Sequence, residues 1–162
     1  METEPNRSEV VTSFLVRKRA DGSDELLLLH RSERVGTYRG CWAAVSGHLE
    51  GEPLAHALTE IREETGFGED EVRLLQRGEP FSLDDDERDL HWLIYTFLFE
   101  VTAQREPMLD WDHTESRWIR PDDISQFDTV PLLREAFVRL YSLESSAHTE
   151  DAGEADRKGR RK

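Results

Sequence analysis

The chain is short of several residue types, and each shortage excludes something. Cys41 is the single cysteine among 162 residues, so no disulfide can close within the chain, and a reducing compartment suits it. Lysine occurs three times against 18 arginines, and the basic residues are outnumbered by 35 acidic ones, for a net charge of −14. The stretch Ser145 to Lys162 holds four acids and five bases, which leaves −15 on the rest. A body so negative repels a phosphate backbone, so duplex nucleic acid is not an expected partner. Acid excess with little lysine fits a salt-loving source and fits an ordinary acidic enzyme equally well. Long hydrophobic runs are missing too, which excludes a helical membrane span. The opening METEPNRSEV lacks the apolar stretch of a signal peptide, so the expected location is cytoplasmic.

What is present is enough apolar sequence, 36% of residues, for one domain with a real core. The expected organisation is a flexible start over 1–8, one domain over 9–144, and a polar, disordered tail over 145–162. Val10 to Arg17 and Glu25 to His30 (ELLLLH) read as strands joined by a turn at Ala20-Asp21-Gly22-Ser23. Arg31 to Gly40 reads as a polar loop, Cys41 to Ser46 as a short buried strand, and Gly47 to Glu52 as a glycine-bearing loop. Pro53 to Thr65 reads as a helix, with Glu52 near its N-cap, Pro53 in its first turn and Gly66 ending it. Strands follow at Val72 to Arg77, His91 to Val101 and Glu115 to Ile119, with Leu83 to Leu90 and Thr102 to His113 as loops. Pro121 to Phe127 reads as a helical turn and Pro131 to Leu143 as an amphipathic helix. Strands and helices mix without regular alternation, which favours an α+β fold, an α/β/α sandwich with a central mixed sheet flanked by helices.

The chemistry concentrates in the stretch GHLEGEPLAHALTEIREETGF, from Gly47 to Phe67. Glu60, Glu63 and Glu64 stand at i, i+3 and i+4, on one side of the expected helix. Their centre lies roughly 130° round from the stripe Leu54, Ala57, Leu58 and Ile61, at the shoulder where a cleft beside a sheet forms. Like charges that close repel unless a cation lies among them. Oxygen ligands at that density suit Mg²⁺ or Mn²⁺ shared with a substrate phosphate. The competing reading of such a helix is a solvated charged face.

The segment TEIREETGF resembles the end of the Nudix (MutT-like) box. Glu60, Ile61, Glu63, Glu64, Gly66 and Phe67 match its glutamates, its aliphatic position and its closing glycine and aromatic, while Gly47 matches the opening glycine and Glu52 the first glutamate. The surroundings agree: a strand with Trp42 precedes the box, and Glu115-x-x-Trp118 follows on a later strand. The box is contracted. Gly47 to Glu52 is one residue short of the pattern, as is Glu52 to Thr59, and Thr59 stands where the family has an arginine that pairs with the box glutamates. Arg62, one turn away, is the nearest replacement.

The resemblance implies a Nudix fold and a metal-dependent pyrophosphohydrolase. Such an enzyme cleaves a nucleoside diphosphate linked to another group, ADP-ribose-like or a nucleoside triphosphate, by water attack at phosphorus. It implies Glu60, Glu63, Glu64 and the Gly47 carbonyl as metal ligands. It further implies Glu63 or Glu64, or an acid of a later loop (Glu115 first, Asp112 next), as the group that deprotonates water. Glu52 and Gly66 are the structural positions of the box.

Arg31, Arg34 and Arg39 cluster before the box strand and are candidates for substrate phosphates, or plain surface arginines. Tyr38, Phe81 and Trp111 are candidates for stacking on a nucleobase, or simple packing residues. His48 beside Gly47 and the acidic run Asp84-Asp85-Asp86-Glu87 carry weaker suggestions of the same kind. Two alternatives stand beside hydrolysis: a non-catalytic Nudix-fold domain that binds a nucleotide for regulation, and a prenyl-diphosphate isomerase, whose family relatives use a cysteine, here Cys41. A homodimer is compatible with the resemblance. Specificity is not legible, because in this family it resides in variable loops.

Overall fold

The computed structural model describes residues 7–145. The tail expected to be disordered lies, apart from residue 145, outside the described residues, and so does most of the expected flexible start. Arg7 and Ser8, assigned from sequence to that start, instead open strand β1 (Arg7–Lys18).

β1 meets β2 (Asp24–Arg31) in antiparallel register, with Val16 opposite Leu26. The turn between them is held by Asp21, whose carboxylate accepts from the Ser23 amide at 2.9 Å, and by Gly22 at a φ of 86°. β3 (Trp42–Ala43) pairs with β2, and β4 (Val45–His48) pairs with β1. The single strand expected over Cys41 to Ser46 is thus split at Ala44, where the chain changes partner. Gly47 and His48, expected in a loop, are strand residues, with Gly47 opposite Val11. The helix α1 (Pro53–Thr65) follows, then β5 (Val72–Arg77), β6 (Phe81–Asp85), β7 (Leu90–Val101) and β8 (His113–Ile119). A 3₁₀ turn covers Pro121–Gln126, and α2 covers 133–145.

The acidic stretch expected as a loop over Leu83 to Leu90 is half strand. Phe81, Leu83 and Asp85 alternate against β7, and only the four residues 86–89 turn the corner. Cross-strand partners overcome the poor strand propensity of aspartate there. His91 Nδ1 meets Asp84 at 2.8 Å, and Tyr38 donates to Asp85 at 2.9 Å.

One eight-stranded mixed sheet results, in the order β3-β2-β1-β7-β5, with β4, β6 and β8 added on β1, β7 and β2. Its centre is the parallel pair β1 and β7, in register from Arg7 opposite His91 to Val16 opposite Glu100. The run Leu26–Leu29 explains the layering. Successive side chains point to opposite faces, so a strand apolar at every position must be covered on both. Leu26 and Leu28 join Phe14, Val16, Leu98 and the α2 residues Leu133, Ala136, Phe137 and Leu140. Leu27 and Leu29 join Val11, Leu15, Phe97, Phe99 and the α1 residues Ala57 and Ile61. Full burial of each such side chain stabilises by about 1.5–3 kcal/mol. No helix among the described residues is long and apolar enough to cross a membrane.

Candidate active site

α1 starts and stops where its sequence directs. Glu52 is the N-cap, its carboxylate accepting from the Ala55 amide at 2.9 Å, and Pro53 takes the first turn, where no amide is needed. Gly66 closes the helix at a φ of 78°, its amide donating to the Arg62 carbonyl. Between these caps Ala57 and Ile61 are fully buried against the sheet. That docking sets the rotation of the helix and separates the three carboxylates. Glu64 is turned inward, with a side chain 5% exposed. Glu60 is half-buried beside it, and Glu63 is exposed and does not line the cleft described below.

Glu60 lies against Gly47 of β4. A Cβ on Gly47 would stand 2.5 Å from the Glu60 carboxyl carbon and 2.6 and 2.8 Å from its oxygens. No side chain fits there, so glycine is what admits the carboxylate to the strand. Burial pushes the Glu60 carboxyl above its ordinary range. Burial pushes Glu64 up much further, with the adjoining Glu60 carboxyl adding to the effect. One Glu64 oxygen, Oε2, is buried without a hydrogen-bond partner among the described residues. Two desolvated carboxylates side by side, one with an orphaned oxygen, are a donor set that a hard cation would satisfy. Among the described residues no three of His, Cys, Asp and Glu converge as a ready-made metal cage. Two carboxylates with the remaining positions left to water and phosphate are nevertheless a usual Mg²⁺ arrangement.

These groups open into a cleft of about 450 Å³. Its floor is the α2 side of the sheet at Val10, Thr12, Trp92, Ile94 and Thr96, and residues 130–133 with Ala136 form a wall. Ser46, Gly47 and His48 lead from this floor to Glu60 and Glu64. Trp111 stands at the mouth, 68% exposed.

The structure brings Arg31, Tyr38 and Trp111 of the expected binding residues to the cleft, and Arg34 and Phe81 with them. It does not bring Arg39, whose Nε donates to the Val35 carbonyl at 2.8 Å. Arg31 is committed as well, donating from Nε and Nη2 to the Thr37 carbonyl at 3.0 and 2.9 Å, which shapes the loop. Arg34 is exposed, and among the described residues its guanidinium makes no hydrogen bond or ion pair, so it is free to receive an anion. Of the later acids, Asp112 lines the cleft, while Glu115 is exposed on β8 and does not. Burial, and then the neighbouring Asp110, hold the Asp112 carboxyl above its ordinary range. Cys41 does not line the cleft, and burial pushes its thiol up, away from the thiolate that nucleophilic or proton-transfer chemistry needs.

Thr59 does not replace the box arginine, because its hydroxyl turns back to the Ala55 carbonyl at 3.2 Å. Arg62 is exposed and makes no ion pair among the described residues. Two histidines that sequence reasoning missed stand by the carboxylates instead. His56 Nε2 lies 3.1 Å from Glu60 Oε1 but off the hydrogen-bonding line, and has no hydrogen-bond partner among the described residues. The signal was there: His56, Glu60 and Glu64 are spaced i, i+4, i+8. His113, from the start of β8, approaches Glu64 Oε1 at 3.6 Å, and no local pattern announces it.

The NUDIX domain family model matches residues 9–141. The chain is 31% identical over 113 residues to the nucleoside triphosphatase NudI of Escherichia fergusonii, a match covering 63% of this chain and 77% of the relative. Its structure is similar to that of RenU, a Nudix hydrolase from M. smegmatis, with a TM-score of 0.73 at 16% identity, covering 86% and 87% of the two chains. It is also similar to a C. elegans Ap4A hydrolase, with a TM-score of 0.68 at 17% identity, covering 90% and 98%. At such identities the two structures speak for the fold.

Proposed function

The chain belongs to the Nudix hydrolases, and from that premise we propose that it is a divalent-metal-dependent pyrophosphohydrolase acting on a nucleoside triphosphate or a related nucleoside diphosphate derivative. The observation that carries this reading is the contact of Glu60 with Gly47, beside buried Glu64, at the inner end of a cleft. The triphosphate preference follows the NudI relative, which is named for that activity.

In this reading Glu60 and Glu64 would hold Mg²⁺ or Mn²⁺, and Glu63, exposed outside the cleft, would add negative charge close by. The bound cation supplies positive charge to phosphoryl oxygens as negative charge develops on them. Arg34 meets the polyphosphate at the mouth, and the apolar floor around Phe81 and Ile94 takes the base. Asp112 takes the proton of the attacking water, in preference to Glu115, because it faces the cleft and Glu115 does not. Water adds to phosphorus, the bond to the bridging oxygen breaks, and a phosphate ester leaves.

The test is Glu64→Gln, purified and assayed with Mg²⁺ on nucleoside triphosphates, ADP-ribose and dinucleoside polyphosphates. Turnover should fall by about 10²–10³-fold or more, with the fold intact. Wild-type turnover in the variant would remove Glu64 from the site. A wild-type protein that binds nucleotide and cleaves none of these substrates to a nucleoside monophosphate would make the chain a binding domain instead.

A further inference from the structure

Asp110 and His113 form a pair that the proposed reaction does not use. Asp110 Oδ1 accepts from His113 Nδ1 at 2.9 Å, and the His113 side chain is 2% exposed. A carboxylate can only accept, so the bond places a proton on Nδ1 and fixes the ring orientation. The other nitrogen, Nε2, is thereby aimed at Glu64 Oε1 at 3.6 Å, a few tenths of an ångström beyond hydrogen-bonding length, and it holds the carboxylate when it too carries a proton. Asp110 belongs to the segment before β8 and His113 to its first residue, whereas Glu64 is on α1. The contact therefore crosses from one part of the chain to another, and α1 alone does not determine where the Glu64 carboxylate points. The box arginine that would hold such a carboxylate is absent, and neither Thr59 nor Arg62 reaches it.

We propose that the Asp110–His113 pair is a positioning device for Glu64, holding its carboxylate in the orientation that receives the metal. The proposal rests on the reading of Glu64 as a metal ligand. Carboxylates and histidines behind a ligand typically change metal affinity by 10–100-fold when removed. His113 also lines the cleft, beside Glu64, and the role proposed for it is to hold Glu64, not to bind substrate.

The experiment titrates Mn²⁺ into the substrate-free protein and follows free ion by electron paramagnetic resonance, a readout independent of turnover. His113→Asn keeps a partner for Asp110 but has nothing to offer Glu64, and should weaken Mn²⁺ binding by about 10–100-fold. His113→Gln still reaches toward Glu64 and should recover most of that loss. Asp110→Ala frees the ring and should weaken binding by about tenfold, whereas Asp110→Asn keeps an acceptor and should stay within about threefold of wild type. The last comparison separates positioning from charge and does not depend on His113→Asn folding. Glu64→Gln is the reference. If it loses Mn²⁺ while His113→Asn and Asp110→Ala bind as wild type, the positioning role is wrong and the site reading stands. If Glu64→Gln itself binds as wild type, the site reading falls. Asp110→Asn as weak as Asp110→Ala would reduce the pair to an electrostatic contribution and overturn the proposal.

Discussion

The two faces of the sheet are covered by one helix each, yet they are finished differently. On one face Ala57 and Ile61 of α1 are sealed against Val11, Leu15, Phe97 and Phe99. On the other, α2 covers Phe14, Val16 and Leu98 but leaves a cleft over Val10, Thr12 and Ile94. The sealed face orients the carboxylates, and the open face offers the volume. They communicate at Gly47, where a strand without a side chain lets Glu60 of the sealed side reach the open one. Rigid support and substrate access are thus assigned to opposite sides of a single layer, and the chemistry falls at the edge between them.

The sharpest way to break this division is Gly47→Ala. The added Cβ has no room beside Glu60, so either the carboxylate swings away or the strand shifts. Mn²⁺ affinity and turnover should each fall by about 100-fold, by analogy with other displaced ligands. The stability loss should be only about 1–3 kcal/mol, the usual range for overfilling a close contact. Metal titration together with thermal melting checks this. Wild-type metal affinity in Gly47→Ala would mean that the junction is elsewhere.

A second test asks how closed the sealed side is. Glu64 titrates in the fold above its ordinary 4.5, because burial disfavours its charge. Between that value and the raised one the folded state binds the proton that the unfolded chain has released, so this carboxyl costs stability as pH rises. Metal-free wild type should therefore lose stability relative to Glu64→Gln, which stays neutral, as pH goes from 5 to 8. The two proteins should melt close together at pH 5 and the variant higher at pH 8, by a few °C. Parallel melting curves across that range would show Glu64 to be well solvated.

The smallest effect is expected on the open side. Arg34→Ala removes an exposed cation at the mouth and should raise KM for a nucleoside triphosphate several-fold with kcat unchanged. Added salt should shrink the difference. A fall in kcat with KM unchanged would place Arg34 at the reacting phosphorus instead.

Much of this was legible beforehand. Glu52, Pro53 and Gly66 mark both ends of α1, because capping is local chemistry. Leu26–Leu29 announces a strand covered on both faces for the same kind of reason. Legibility stopped where a side chain's fate depends on what another segment places opposite it. Glu60, Glu63 and Glu64 look equivalent in helical spacing, yet docking leaves Glu63 outside. Arg31 and Arg39 look equivalent as phosphate ligands, yet only Arg31 reaches the cleft, while Arg39 turns to the Val35 carbonyl. Asp84 and Asp85 look like loop residues until their partners across β7 and from Tyr38 are known. Gly47 reads as loop glycine, whereas its role is to make room for Glu60 within a strand.

By itself the sequence determined the α+β class, the limits of the helix that carries the carboxylates, and the family, because caps, periodicity and motif spacing are properties of short segments. Tertiary structure alone decided which two of three glutamates face the cleft, that Arg34 stands exposed beside it, and that His113 meets Glu64 there. Those outcomes depend on contacts between residues tens of positions apart, and only the closed sheet with its two helices brings them together.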